Sequence, residues 1–274
     1  MDSDEKRAAC ESKAERRQAH KAETKRRTAM NHREDTLKAI EELREIIQKY
    51  NNIVFFGGAG VSTESGIPDF RSVDGLYHQQ YDYPPETILS HTFYRRNPEE
   101  FYRFYRNKML FTNVAPNAAH RKLAELEKQG KLRAVITQNI DGLHQAAGSK
   151  VVLELHGSVL RNYCEHCGEF HNLQYILDTN GVPKCKKCGG PVKPDVVLYE
   201  EGLNQDTIQE AVRYISNAEV LIIGGTSLAV YPAAGLIDCF QGDKLVVINK
   251  SSTPRDNFAD LLISAPIGEG FSTI

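Results

Sequence analysis

The sequence predicts an α/β protein: a doubly wound, mostly parallel sheet with a smaller lobe set into it. Three observations carry this. Short β-branched and aromatic runs alternate with stretches of helical periodicity. Glycine-rich and polar segments fall where those runs end, which is where open α/β sheets bind ligands. Two closely spaced cysteine pairs interrupt the alternation and mark the second lobe.

Residues 1–34 form a charged N-terminal extension of Lys, Arg, Glu and Ala, with no apolar stripe to bury. Cys10 lies within it. Leu37, Ile40, Leu43 and Ile47 then recur at helical spacing, with Asp35 or Thr36 as the expected cap. Asn52-Ile53-Val54-Phe55-Phe56 reads as the first buried strand. From Val73 to Phe111 the chain turns to aromatic, proline-broken helical pieces such as Pro98-Glu99-Glu100-Phe101-Tyr102, an insertion. Pro116 to Gln129 reads as an amphipathic helix with Leu123 and Leu126 inward. Further strands are expected at Leu132 to Thr137, Val151 to Leu155, Val220 to Ile223 and Leu245 to Ile248, the last after a helix around Ala233 to Phe240.

A chain of 274 residues can bury one substantial core and a small satellite. Its formal net charge of −2 argues against nucleic acid or anionic membrane as a partner. No apolar run approaches the ~20 residues of a membrane span, and no signal-peptide core is present, so a cytoplasmic protein is expected. Reduced, metal-binding thiols are then expected over disulfides. Cys164-x-x-Cys167 and Cys185-x-x-Cys188 have the spacing of a four-thiolate zinc site, each tight knuckle pointing two sulfurs at one ion. Four thiolates leave no open position, so the metal is structural. A redox dithiol, a disulfide pair, or His166 replacing one cysteine are the rival readings.

The stretch Phe56-Gly57-Gly58-Ala59-Gly60-Val61-Ser62-Thr63-Glu64 follows the first strand. Small residues there allow a tight turn and close approach to a ligand, and backbone N–H groups backed by a helix N-terminus attract phosphate. The third glycine of the usual dinucleotide fingerprint falls at Thr63, and its later acidic residue is missing from a strand-like context. A dinucleotide is expected, bound otherwise than in an ordinary dehydrogenase.

Gly58 to Arg71, continuing through Ser62-Thr63-Glu64-Ser65-Gly66-Ile67-Pro68-Asp69-Phe70-Arg71, resembles the signature of the sirtuins, the NAD-dependent protein deacylases. Gln138-Asn139-Ile140-Asp141, His156-Gly157, the four cysteines, Gly225-Thr226-Ser227 and Ile248-Asn249-Lys250 follow in the order that family shows. The resemblance implies a catalytic domain over 35–274. Its Rossmann-like core would cover 35–72, 115–160 and 193–274, with a helical insertion at 73–114 and a zinc module at 161–192.

By the same resemblance the chain is an NAD-dependent protein-lysine deacetylase, with NAD as co-substrate and one structural Zn2+. The acetyl-lysine carbonyl oxygen displaces nicotinamide, so no protein nucleophile is needed, and the acyl group passes to ADP-ribose. His156 is the implied base; Asn139 contacts the reacting ribose and places a water; Asp141 accepts from the nicotinamide amide. The implied cofactor contacts are Ala59, Thr63, Phe70, Arg71, Gln138, Ile140, Asp141, His156, Thr226, Ser227, Asn249, Lys250 and Ile267. Bland readings stand beside these: Asn139 or Asp141 as a helix cap, His156 as a satisfied strand-end residue, Phe70 as core, Arg71 as a surface ion-pair former. His144 competes as base, but its expected helical position reads as structural.

The implied partners are acetyl-lysine proteins or peptides, with no nucleic acid, no membrane and a monomeric chain. A peptide can add as a strand between Val196-Val197-Leu198-Tyr199 and Leu228-Ala229-Val230-Tyr231. Tyr199-Glu200-Glu201 departs from the family's Phe-Gly-Glu, which puts the local backbone in doubt. Members preferring acidic acyl groups carry Tyr-x-x-Arg; here Tyr102 is followed by Tyr105, with Arg106 one position further on, so neutral acyl groups, acetyl first, are expected. Protein ADP-ribosyl transfer and a non-catalytic NAD-responsive module remain as alternatives.

Overall fold

The computed structural model describes residues 33–69, 83–271 and 274. Its centre is a six-stranded parallel sheet in the order β3-β2-β1-β7-β8-β9. The strands are β1 (Ile53–Gly57), β2 (Leu132–Thr137), β3 (Val152–Glu154), β7 (Val220–Gly224), β8 (Lys244–Ile248) and β9 (Leu261–Ile263). Alternate side chains leave opposite faces, and both faces are apolar. Phe55, Val135, Ile222 and Val246 pack with Ile40, Leu43 and Leu123 on one side. Val54, Phe56, Ile136, Leu221 and Val247 pack with Ala211 and Ile215 on the other.

The first face is covered by the helices α1 (33–49), α5 (Ala118–Lys128) and α9 (Ile267–Phe271), the second by α8 (Gln205–Asn217) and a 3-10 turn at Ala233–Cys239. In α1, Asp35 and Thr36 fall inside the helix, which is already formed at residue 33, so neither starts it. Leu37 points to solvent at 55% exposure, while Ile40, Leu43 and Ile47 are buried. The segment after Pro232 winds as a 3-10 helix rather than an α-helix.

The smaller lobe pairs three short helices with a three-stranded antiparallel sheet. The helices are α2 (Pro85–Ile88), α3 (His91–Arg96) and α4 (Pro98–Lys108). The sheet has the order β5-β4-β6, with β4 (Gly157–Cys164), β5 (Phe170–Asn172) and β6 (Val192–Val196), and carries α7 (Leu173–Asp178). Phe93, Tyr94, Phe101, Tyr102 and Tyr105 pack against Val159, Ile176, Val192 and Val196 in a separate core that also takes in Cys164 and Cys185. The aromatic run of the insertion therefore serves as the hydrophobic floor of the cysteine module.

Candidate active site and metal centre

The main sheet reverses its winding between β1 and β7, so a crevice opens above their carboxyl ends. From β1 the chain leaves through two 3-10 turns, Ala59–Val61 and Thr63–Ser65. No helix N-terminus backs the described part of this loop, a correction to the sequence expectation. The small residues serve a different approach. The Gly60 N–H donates to the Gly225 carbonyl at 2.8 Å, and a Cβ on Gly60 would stand only 2.8 Å from the Gly225 Cα. The glycines thus draw the two strand ends together.

Ser62 is the hub beneath this loop and is 1% exposed. Its hydroxyl accepts from Asn139 Nδ2 at 3.0 Å and donates to Asp141 Oδ2 at 2.6 Å. The other oxygen, Asp141 Oδ1, accepts the Leu143 N–H at 2.9 Å, opening α6 (Leu143–Ala147). Asp141 therefore holds the first N–H of α6, whose N-cap is Gly142, and faces the loop at once. Gln138 spans the crevice: its N–H donates to Gly57, and its Nε2 donates to Thr226 Oγ1 at 3.1 Å.

His156 follows β3, half-buried. Its Nδ1 lies 2.9 Å from the Gln138 carbonyl oxygen. A carbonyl can only accept, so Nδ1 carries the proton and Nε2 keeps the lone pair. Burial holds the imidazole below its ordinary pKa, with the Gln138 carbonyl pulling weakly the other way. The ring is thus neutral at pH 7 with its basic nitrogen defined. His144 is different. It is 1% exposed, and its ring centre lies 4.7 Å from that of His120. Burial, with the neighbouring His120 charge, depresses it to about 3, and burial depresses His120 to about 4. The two rings form a packed layer below the crevice.

Other expected contacts line up less tightly. Ala59 is half-buried, and Thr63 is exposed with its hydroxyl donating to Gly60 O at 3.0 Å. Ile140 is half-buried against the small-lobe core, and Ser227 is exposed. Asn249, at the end of β8, donates to Ser251 O at 2.7 Å, and Lys250 beside it is exposed. Ile267 is buried in the main core, where a Cβ on Gly224 would meet its Cδ1 at 2.2 Å. Phe70 and Arg71 lie outside the described residues.

Sequence reasoning passed over Ser62, Glu64 and Asn117. Ser62 and Glu64 sit inside the glycine motif, so the signal was present. Glu64 accepts the Gly268 N–H at 2.7 Å and moors α9 to the loop. Asn117 caps α5 through its Oδ1 while its Nδ2 donates to Val61 O at 2.7 Å, a pairing between segments that spacing could not reveal.

In the small lobe, Cys164 Sγ lies 3.4 Å from Cys188 Sγ and Cys167 Sγ lies 3.7 Å from Cys185 Sγ, with all four sulfurs within 4.8 Å of one another. These separations are too long for disulfides, which need about 2.05 Å. They match a tetrahedron of thiolates about 2.3 Å from one zinc ion, whose sulfurs stand about 3.8 Å apart. The four sulfurs complete the set without His166, whose ring packs over Gly190. The donors fit a closed structural zinc site.

The segment expected to receive the peptide also has a defined form. Tyr199 exchanges backbone bonds with the α2–α3 connection, donating to Leu89 O at 3.0 Å and accepting from His91 N at 2.9 Å. Glu200 takes φ of 76°, the left-handed region a glycine enters freely, and its carboxylate accepts the Thr92 N–H at 2.9 Å. Glu200 thus adopts a conformation that a glycine would enter without strain. On the facing segment Leu228 has φ of 53°, so that stretch is not a regular strand. Tyr102 is wholly buried and donates to the Val192 carbonyl; Arg106 is spent on the Ile176 and Gly181 carbonyls at 2.9 and 2.7 Å.

Comparison with known proteins gives consistent results. The Sir2 family model matches residues 58–232. The NAD-dependent protein deacetylase of Clostridium perfringens is 61% identical over 233 residues, 84% of this chain and 96% of its own. That of Clostridium acetobutylicum is 59% identical over 241 residues, 87% of this chain and 98% of its own. A Sir2–p53 peptide–NAD+ structure is 40% identical with a TM-score of 0.76, covering 85% of this chain and 95% of that one. A Sir2 variant with deacetylated p53 peptide and 3'-O-acetyl ADP ribose is 39% identical with a TM-score of 0.79, covering 85% and 96%.

Proposed function

The chain belongs to the Sir2 family, and from that premise we infer that it is an NAD-dependent protein-lysine deacetylase. NAD is its co-substrate and one zinc ion its structural metal. When bound, NAD supplies an ADP-ribosyl electrophile that accepts the acyl group from lysine.

We propose the following division of labour in the cleft. His156 Nε2 takes the proton of a ribose hydroxyl, which lets that oxygen attack the carbon that came from the acetyl group. Burial suits it to this, because the ring is neutral and ready to accept. Asn139, its Nδ2 committed to Ser62, turns Oδ1 toward the ribose and a water. Asp141 has lone pairs beyond those engaged by Ser62 and Leu143, and these accept from the nicotinamide amide. Gln138, Ala59, Thr63, Thr226 and Ser227 hold the inner rim of the cofactor; Ile140 walls the nicotinamide; Asn249, Lys250 and Ile267 hold the adenosine end. Phe70 and Arg71 shield the intermediate and grip phosphate.

Acetyl-lysine proteins or peptides are the substrates, laid along Val196–Tyr199. Neutral acyl groups are favoured, because Arg106 is engaged by two backbone carbonyls of the zinc lobe. Near-neutral net charge supplies no long-range pull toward nucleic acid, and the chain is read as a monomer. No described helix is long and apolar enough to cross a membrane, and a cytoplasmic location accords with that. The chain divides into a charged extension at 1–34, a core at 35–72, 115–160 and 193–274, a helical insertion at 73–114 and a zinc module at 161–192.

The observation that carries the reading is the neutral imidazole of His156, its tautomer set by Gln138, beside the Asn139–Ser62–Asp141 chain. The test is incubation with NAD and an acetyl-lysine peptide, with products resolved by mass spectrometry. Free nicotinamide, deacetylated peptide and O-acetyl-ADP-ribose are expected. Mass added to protein would mean ADP-ribosyl transfer, and unchanged NAD a binding module.

A further inference from the structure

Two lines of the site come from different lobes: the strand that delivers His156 belongs to the main sheet, and the peptide edge continues β6 of the zinc lobe. Something must hold them in register. The backbone does part of this: Val197 N–H donates to the His156 carbonyl at 3.0 Å. Gly157, at φ of 75°, lets the strands touch, since a Cβ there would lie 1.9 Å from the Asp195 oxygen.

Arg161 does the rest. Its Nη1 donates to Glu154 Oε2 and its Nε to Asp195 Oδ2, both at 2.7 Å. Glu154 is the last residue of β3, two before His156. Asp195 is in β6, two before Val197, where the peptide edge begins. A turn at 155–156 follows Glu154 directly, and Val197 follows the end of β6, so each carboxylate is a handle two residues along the chain from the functional residue that follows it. Glu154 has a side chain only 7% exposed, which makes its partner matter more than a surface pair would. A guanidinium offers donors on separate nitrogens in a fixed plane and so sets the spacing between the two handles; an ammonium is a single point.

We propose that Arg161 is a positioning residue that registers the His156 imidazole against the acyl-lysine edge, and that it controls the second half of the reaction, acyl transfer, without controlling nicotinamide release. This rests on the deacetylase reading. Nicotinamide leaves by displacement with the acyl oxygen and needs no base, whereas proton removal from the ribose hydroxyl needs Nε2 in place.

The experiment compares Arg161→Met and Arg161→Lys with wild type in two assays: exchange of labelled nicotinamide into NAD with acetyl-lysine peptide present, and formation of deacetylated peptide. Wild-type exchange and turnover establish the deacetylase reading by themselves, so its failure is seen separately. For Arg161→Met, about tenfold loss of deacetylation kcat is expected, with exchange kept within about twofold and zinc content at one per chain. Arg161→Lys should fall between the two. The same variant paired with Asp195→Asn should lose little more than either change alone. Equal loss of both activities, or no loss of either, would overturn the proposal. Full activity in Arg161→Lys would overturn the claim that a two-pronged donor is required.

Discussion

The two lobes reach stability by different means. The main sheet is clamped between two apolar layers, with Ile53, Val54, Phe55 and Phe56 fully buried on its central strand. The small sheet has three strands, and its single core draws on aromatic side chains from a separate insertion. Its two knuckles are held where four sulfurs converge. From this contrast the main lobe is expected to support itself and the small lobe to depend on its metal and its neighbour. Because the proposed base His156 comes from the first and the proposed peptide edge from the second, activity is expected to depend on the weaker partner.

The largest effect should come from the metal. Structural zinc contributes apparent binding energies of about 10–16 kcal/mol in zinc-finger peptides. Stripping zinc with a strong chelator, or Cys185→Ser, should therefore abolish deacetylation. In hydrogen exchange, amides of β4 and β6 should lose protection while those of β1 and β7 keep it. Uniform loss across both lobes would mean that the division is wrong.

Next is the main core. Leu123 is fully buried, and Leu123→Ala should cost about 2–5 kcal/mol by denaturant unfolding. Zinc content should be unchanged. Loss of metal in that variant would show that the lobes fold as one unit.

Acid should act on the main lobe through its buried histidine layer. His120 and His144 are held at about 4 and about 3 by burial, below the ~6.5 of an unfolded chain. Below pH ~6.5 the unfolded chain binds protons that the folded chain refuses, so stability falls as pH drops from there toward 4. Each such proton contributes up to about 1.4 kcal/mol per pH unit. Thermal melts from pH 7 to pH 4.5 should show the decline, and His144→Leu should flatten it if the variant folds; an unchanged slope in a folded variant would remove the histidine layer as its source.

The smallest effect concerns His156 itself. Since burial lowers its pKa, the acid limb of the deacetylation profile should lie below the ordinary histidine value of ~6.5. A limb above that value would point to another group.

Much of this was legible in the sequence because the central strands are short apolar runs with glycine or polar ends, and because paired cysteines announce a metal directly. What escaped had weaker local signals. Leu261–Ile263 is a strand of three residues, too short for periodicity to register. The segment Ala233–Cys239 carries helical composition, yet follows Pro232 and winds as 3-10. Within the site, Asn139 and Asp141 could be named from their motif, but the hydroxyl of Ser62 that joins them comes from a segment more than seventy residues earlier. Glu200 shows the reverse: the missing glycine cast doubt on a turn that the chain makes anyway, with the Thr92 N–H as its partner.

The most direct test of the account is a single-turnover comparison of wild type and His156→Ala with NAD and an acetyl-lysine peptide. Nicotinamide exchange should persist in the variant while deacetylated peptide falls by about 10²–10⁴-fold, the usual worth of a general base. Deacetylated peptide appearing at the wild-type rate would contradict the assignment of the base and the cleft built around it.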